Sequence, residues 1–326
     1  MTATVSVVVP TRNRAALLPI AVRSVLAQTY SDFELIVVDD ASEDETPQVL
    51  RSLSDPRVRR VRRDRSGGGA QARNEAIASA TGEFVAFLDD DDEWLPDKLA
   101  SQLALFASAD PRVGVVYSSY SVVDRASGRV LGRKVAEARG DLSNALLERN
   151  VVGATSCVMA RRECLRSSGG FDAALPSFQD YDLWIRLSRA AWFDFVDRDL
   201  LTYYEHGQKI WKNLEALERG IEIMAEKHGG SRAMRRNLSV QILGLGEKYC
   251  ARGETGRGRR AFRRAIRLDP TAVRPYLNMS LSLLGAATFR SVHEIKAKLS
   301  HSGRGAARSH PAHNGPAESG AGLRAR

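Results

Sequence analysis

Three groups of acids stand out by type and spacing. Asp89-Asp90-Asp91-Asp92 follows the apolar run ending at Phe87-Leu88, Asp39-Asp40 ends the run Phe33–Val38, and Asp180 and Asp182 flank Tyr181 after a Gly169-Gly170-Phe171-Asp172 turn. Crowded anions repel one another unless a cation or hydrogen-bond donors sit among them. Hard carboxylate oxygens at this density suit Mg²⁺ or Mn²⁺ shared with phosphate oxygens. The plainer alternative is a solvated turn whose last acids, Asp92 and Asp97, cap a helix entered at Pro96. A carboxylate at Asp39-Asp40 can accept a hydrogen bond from the imide N–H of uracil or thymine, while Ser42 or Asp44 there can equally cap a helix. Asp180 sits where a helix opens, and the dipole favours its anion, which suits a deprotonated base and an ordinary cap alike. Arg73 follows Gly67-Gly68-Gly69, placed to reach a diphosphate or to form a surface ion pair. No Gly-Lys-Ser/Thr follows those glycines, so they are not a P-loop. His206 follows a strand and is a candidate metal ligand or substrate contact, against the ordinary case of a histidine with neither role.

Such residues need elements to hold them. Val5–Val9 is a β-branched run ending at Pro10-Thr11-Arg12-Asn13, as expected of a buried parallel strand. Leu17, Leu18, Val22, Val25 and Leu26 keep helical spacing, then Phe33–Val38 reads as a strand. Arg57–Val61 makes a short third strand, Ala70–Ala80 a helix, and Glu83–Leu88 a fourth strand. Alternation at this spacing predicts a doubly wound α/β sheet, which binds ligands at the carboxyl ends of its strands. Both leading acidic groups and the Pro10–Asn13 turn fall at such ends.

Further on, the pattern predicts a helix from Pro96 to Ser108, a strand Val113–Tyr117, and an irregular stretch Ser118–Asn150 holding a hairpin and a short helix. Ala154–Ala160 reads as a strand, Asp180–Arg189 as a helix, and Trp192–Val196 and Leu200–Tyr204 as two short strands. From Ile210 to about Gly285 the chain reads helical, and Tyr249–Pro270 resembles half of a tetratricopeptide repeat without a second copy. The expected organisation is a domain over 1–210, a helical region over 211–299 and a disordered basic tail over 300–326.

The net charge of +9 belongs to one end of the chain. Residues 231–326 hold 19 Lys+Arg against 5 Asp+Glu, whereas residues 1–230 hold 29 against 34. Lacking aromatic interleaving or a recognisable motif, this basic region is not expected to read nucleic acid. Arg257, Arg259, Arg260, Arg263, Arg264 and Arg267 surround Phe262 and Ile266, so a helix here would suit an anionic membrane surface; a solvated basic face is the plainer alternative. Cys157, Cys164 and Cys250 are too scattered for a disulfide framework. No apolar run approaches the ~20 residues that span a bilayer, and residues 1–10 lack the pattern of a signal peptide, so a cytoplasmic protein, at most touching the inner membrane face, is expected.

Seven stretches, in order, resemble the inverting family 2 glycosyltransferases. They are Val5–Arg14, Ser24–Tyr30, Asp39–Thr46, Ala72-Arg73-Asn74, Phe87–Leu99, Gly169–Asp172 and Gln179–Leu187, and the resemblance covers about residues 4–210. It implies a GT-A fold: an α/β, Rossmann-like, mixed and mainly parallel sheet flanked by helices, here with an α-helical C-terminal extension. By the same resemblance Asp40 reads the nucleotide base, with Pro10, Thr11 and Arg14 lining its pocket. Asp89 and Asp91 form the D-x-D pair, with Asp91 the direct ligand of Mn²⁺ or Mg²⁺ and Asp89 or Asp90 near the ribose. Arg73 contacts the donor, and Asp180 is the general base. Two positions depart from the family pattern: Gln179 replaces the usual Glu, and Glu205 precedes His206 where many members carry Arg.

The implied reaction moves a sugar from a UDP-, dTDP- or GDP-linked donor to a hydroxyl acceptor, lipid-linked in some assemblies, for cell-envelope polysaccharide or glycolipid synthesis. One base and no enzyme nucleophile imply inversion. A catalytically inactive nucleotide-sugar-binding module would keep the donor cleft without turnover. A sugar-nucleotide nucleotidyltransferase would want a Gly-rich first turn, and Pro10-Thr11-Arg12-Asn13 is not one. A pure interaction protein would leave the acid-bearing strand ends unexplained.

Overall fold

The computed structural model describes residues 3–206 and 213–292. The expected boundary near residue 210 and the expected tail from Ser300 lie outside them.

Strand β1 (Val5–Thr11) is buried along its whole length, so neither face alternates with polar residues. It pairs in parallel with β2 (Phe33–Asp39) on one side and β4 (Phe84–Phe87) on the other. β3 (Val58–Arg62) closes that edge in parallel with β2, and its Arg59 and Arg62 reach back to Glu34 and Asp39. Beyond β4 the directions mix. β8 (Met159–Arg161) is antiparallel to β4, β6 (Val113–Asp124) antiparallel to β8, and β9 (Trp192–Glu205) parallel to β6. β5 (Glu93–Trp94) pairs antiparallel with β9, and β7 (Val130–Lys134) forms a hairpin on β6. The order β3-β2-β1-β4-β8-β6-β9-β5 thus has a parallel half built as expected and a mixed half.

Helices α1 (Leu18–Leu26), α3 (Gly68–Ser79) and α4 (Lys98–Ser108) lie near their expected places. α2 (Thr46–Ser52) is the helix that Ser42 or Asp44 could cap; with only Thr46 and Leu50 buried, its seven residues show no periodic stripe. Three expectations need correction. β6 runs to Asp124 rather than Tyr117, because Ser118 and Ser119 are as buried as their neighbours and the polar residues continue the strand. Residues 154–160 are not one strand: Thr155–Cys157 is a turn of 3₁₀ helix, and only Met159–Arg161 pairs. The two short strands are a single β9, kept continuous by register shifts opposite Ser118–Ser121.

α5 (Ala145–Glu148), α6 (Arg162–Ser167) and α7 (Gln179–Leu187) complete the layer around the sheet. Four longer helices follow: α8 (Leu214–His228), α9 (Arg232–Ala251), α10 (Thr255–Leu268) and α11 (Val273–Leu283). α9 and α10 form a close hairpin. A Cβ on Gly246 would come within 2.5 Å of the Phe262 ring, and one on Gly258 would come 2.2 Å from Cys250 Sγ. That crossing accounts for the small residues that resembled half a repeat. These helices also lock onto the sheet domain: Asn237 of α9 donates to Tyr181 Oη at 2.6 Å, and Tyr181 donates to the Leu146 carbonyl.

Candidate active site

β1 and β2 end side by side, Thr11 pairing with Asp39, and β4 runs parallel to them and ends at Phe87 opposite Val8, so all three carboxyl ends face the same way. Whatever follows each strand therefore meets at one edge of the sheet. A cleft of about 390 Å³ opens there, and every donor-side residue expected from the sequence lines it: Pro10, Thr11, Arg14, Asp40, Arg73, Asp89, Asp90 and Asp91. Asp180, from the start of α7, lines its far wall.

The four consecutive acids part company. Asp89, Asp91 and Asp92 each offer an oxygen within 4.8 Å of the others. His206, at the end of β9, places Nε2 2.7 Å from Asp91 Oδ2. Asp90 turns the other way and accepts the Thr11 hydroxyl at 2.7 Å. Burial pushes the Asp90 carboxyl up to about 7, with Asp91 and Asp89 adding to the rise and Thr11 and Arg14 opposing it. Hard oxygen donors crowded at this density are the set a divalent cation takes, so the residues fit one. Asp92 is not a helix cap: fully buried, it accepts the Ser156 hydroxyl at 2.7 Å. Asp97 does stand at the N-cap position of α4, but its side chain caps nothing and instead accepts Thr29 Oγ1 at 3.2 Å.

Asp40 is heavily engaged. One of its oxygens accepts Arg63 Nη1 at 2.6 Å and Gly67 N–H at 2.9 Å, and the other accepts the Ser66 hydroxyl at 2.7 Å and Gly68 N–H at 2.8 Å. Burial raises its pKa, but the Gly67, Ser66 and Gly68 bonds and the Arg63 charge together hold it below the usual carboxylate range. Asp40 thus serves as the anion at the N-terminus of α3 from a neighbouring strand end. Ser42 and Asp44 have local tasks. Ser42 Oγ accepts the Asn13 amide at 2.9 Å, and Asp44 accepts the Thr46 amide at the start of α2, also at 2.9 Å.

Arg73 joins the two walls. It donates to Asp89 Oδ1 and, at 3.5 Å, to Gln179 Oε1, while its Nε is buried without a partner among the described residues. Gln179 in turn donates to the Leu175 carbonyl at 2.8 Å. Beside it, Asp180 Oδ1 accepts the Tyr181 amide at 2.7 Å. Burial raises the Asp180 carboxyl above the ordinary value, against the Tyr181 bond and the nearby Arg73 charge.

Two residues that shape the site carried no signal in the sequence. Ser156 bridges the acids, accepting the Asp89 N–H at 3.1 Å and donating its hydroxyl to Asp92 at 2.7 Å, from a 3₁₀ turn that reads as strand. Phe178 lines the cleft two residues before Asp180 with φ +64, a left-handed backbone that bulky residues rarely adopt. A Cβ on Gly220 of α8 would lie 3.0 Å from the Phe178 ring, so that glycine lets the helix press against the strained turn.

The family model for Glycosyl transferase family 2 matches residues 6–168. The chain is a family 2 glycosyltransferase. Among curated relatives of this glycosyltransferase, the putative colanic acid biosynthesis glycosyl transferase WcaA of Escherichia coli K12 is 34% identical over 197 residues, 56% of this chain and 65% of that protein. The UDP-Glc:alpha-D-GlcNAc-diphosphoundecaprenol beta-1,3-glucosyltransferase WfgD of Escherichia coli is 31% identical over 183 residues, 56% of this chain and 69% of that protein. A glycosyltransferase of Rickettsia conorii is matched over only 34% of its length, so the chain spans between a third and two thirds of several relatives. Solved structures share the fold. S. aureus TarS 1–349 in complex with UDP-GlcNAc superposes with a TM-score of 0.61 at 17% identity, over 91% of this chain and 92% of that one. Mannosyltransferase PcManGT of Pyrobaculum calidifontis, in complex with GDP-Man and Mn²⁺, gives 0.57 at 20%, over 89% and 87%. The glycosyltransferase therefore has the GT-A architecture, a mixed sheet flanked by helices with a helical C-terminal region. No helix among the described residues is long and apolar enough to cross a membrane.

Proposed function

We propose that this glycosyltransferase transfers a sugar, with inversion, from a nucleoside-diphosphate donor to a hydroxyl of a lipid-linked saccharide during cell-envelope polysaccharide or glycolipid synthesis. The observation that carries the reading is the meeting of Asp40, Asp89–Asp91 and Asp180 in one cleft, with Asp92 beside Asp89 and Asp91. In this reading the base N–H is taken by Asp40 in exchange for one of its present donors, and Arg73 uses its unpartnered Nε on the diphosphate. Asp89, Asp91 and Asp92, with His206 behind Asp91, would hold Mn²⁺ or Mg²⁺, which supplies charge neutralisation for the departing diphosphate. Asp180 takes the acceptor proton as the hydroxyl attacks the anomeric carbon from the face opposite the leaving group. A raised pKa suits that task, because a base with a higher affinity for the proton accepts it more readily near neutral pH.

The reading of the acceptor is supported by the activity for which the WfgD relative is named, on a diphosphoundecaprenol-linked sugar. It places this enzyme on the cytoplasmic face of a membrane, reached through its basic C-terminal region. A thermal-shift panel of UDP-, dTDP- and GDP-sugars with Mn²⁺, followed by product assay on the best donor, tests the function. Donor binding with neither hydrolysis nor transfer would mean an inactive binding module.

A further inference from the structure

α11 has its polarity inverted for a helix on the outside of a globule. Its buried positions are Pro275, Asn278 and Ser282, whereas Val273, Tyr276, Leu277, Leu283 and the adjacent Leu284 are between 45% and 67% exposed. Helical spacing gathers these apolar side chains on one stripe opposite the polar, buried one. A contiguous exposed patch of this kind marks an interaction surface.

α10, packed beside α11, differs from the membrane-lying helix its sequence suggests. Its apolar face is spent inside the protein, with Phe262, Ala261 and Ala265 buried. Arg257 and Arg264 pair with Glu218 and Glu222 of α8. What remains outward is Arg260, Arg263 and Arg267, one face at i, i+3 and i+7. The α10–α11 pair therefore offers cations from one helix and bare apolar side chains from the other.

Charge decides the occupant. A second copy of this chain would bring arginines against arginines, with 19 Lys+Arg against 5 Asp+Glu in residues 231–326. An anionic bilayer takes both components: phosphates for the guanidinium groups, and a headgroup–acyl boundary for Tyr276 and the leucines. We propose that the outward faces of α10 and α11 form a docking surface for an anionic lipid membrane. It deepens the membrane-side reading given above, naming the surface that makes the contact, and it does not involve the cleft.

The test is flotation of the full chain with vesicles of phosphatidylcholine alone and of equimolar phosphatidylcholine and phosphatidylglycerol. The expected result is selective binding to the anionic vesicles, weakened at high salt. Arg260→Glu with Arg263→Glu should lower the partition coefficient at least ~10-fold, as should Leu277→Glu with Leu284→Glu, each with an unchanged donor-induced thermal shift. The arginine pair is on the open surface and serves even where the leucine pair unfolds the hairpin. Equal binding to both vesicle types, no binding, or unaffected binding by the arginine variant overturns the proposal. So does light scattering that shows a dimer dissociated by Leu277→Glu, which would make the face a contact between copies. A failed donor panel with intact flotation would sink the functional reading alone.

Discussion

His228 Nε2 lies 2.8 Å from Asp182 Oδ1, joining the last residue of α8 to the helix that carries Asp180. Asp182 is fully buried and also meets Lys227 at 2.7 Å and Arg186 at 2.8 Å, while Arg186 reaches the Ser168 and Gly170 carbonyls. The C-terminal helices thus hold α7 from behind, so Asp180 is positioned in part by residues outside the stretch that the family model matches.

This cluster has a pH signature. Burial alone would raise Asp182, but His228, Lys227 and Arg186 together bring its carboxyl down to about 2. A depressed acid contributes stability above its unfolded value of 3.8 and loses it as pH falls towards about 2. About 2 kcal/mol should be lost across that window, as read by chemical denaturation at stepped pH. Asp182→Asn should lower stability by about 3 kcal/mol at pH 7, because it strands the partly buried ends of Lys227 and Arg186. A flat pH dependence of the wild type in that window, or an unchanged Asn variant, would disprove the account.

Asp180→Asn should leave nucleotide-sugar affinity within about twofold and lower turnover at least ~100-fold. Calorimetry for binding and a product assay for turnover separate the two effects, and unchanged turnover removes Asp180 as the base.

With Asp180 as the proposed base, its raised pKa should set the acid limb of the rate profile. The carboxylate is the working form, so activity should fail as pH drops through a value above 3.8, earlier than an ordinary aspartate would allow. A kcat/KM profile that stays level down to the ordinary aspartate range contradicts this.

Asp90 predicts the opposite sense for stability. Its carboxyl is raised from 3.8 to about 7, so folding is disfavoured progressively as pH rises across that interval. Asp90→Asn keeps an acceptor for the Thr11 hydroxyl and removes the charge. In metal-free buffer at pH 8 its melting temperature should rise by a few degrees, a gain of about 1 kcal/mol or more. A fall would mean the carboxylate is better compensated than its neighbours suggest.

Chelation should erase most of the donor-induced thermal shift, and Mn²⁺ should restore it. Asp91→Asn and Asp92→Asn should each weaken that restoration at least ~10-fold in the Mn²⁺ concentration required. A donor shift indifferent to chelator would leave the acidic cluster without its cation.

Much of this was legible before any coordinates. β1 and β2 declared themselves through apolar runs buried on both faces, and parallel pairing turns their carboxyl ends to one edge of the sheet. Asp40 and Asp89–Asp91 stand out just past strand ends, Asp180 at a helix start and Arg73 on the helix after three glycines, and the resemblance to family 2 glycosyltransferases implies their roles. Other features depend on contacts that no local pattern encodes. Asp92 reads as a cap from its neighbours, yet it is claimed by Ser156, distant in sequence. Phe178 looks like core until its backbone angle and its place on the cleft are seen. α10 has the composition of a surface-seeking amphipath, but α9 had already covered its apolar side.

The four donors already on Asp40 bear on how the proposed nucleobase contact would work. On the proposed role of Asp40, admission becomes an exchange: an entering base would have to offer an N–H good enough to replace Arg63, Ser66 or a glycine amide at the head of α3. Uracil, thymine and guanine carry such a ring proton, whereas cytosine brings a ring nitrogen that is itself an acceptor and has nothing to trade there. Discrimination would then arise less from the shape of an empty slot than from the strength of the bond that the newcomer has to break.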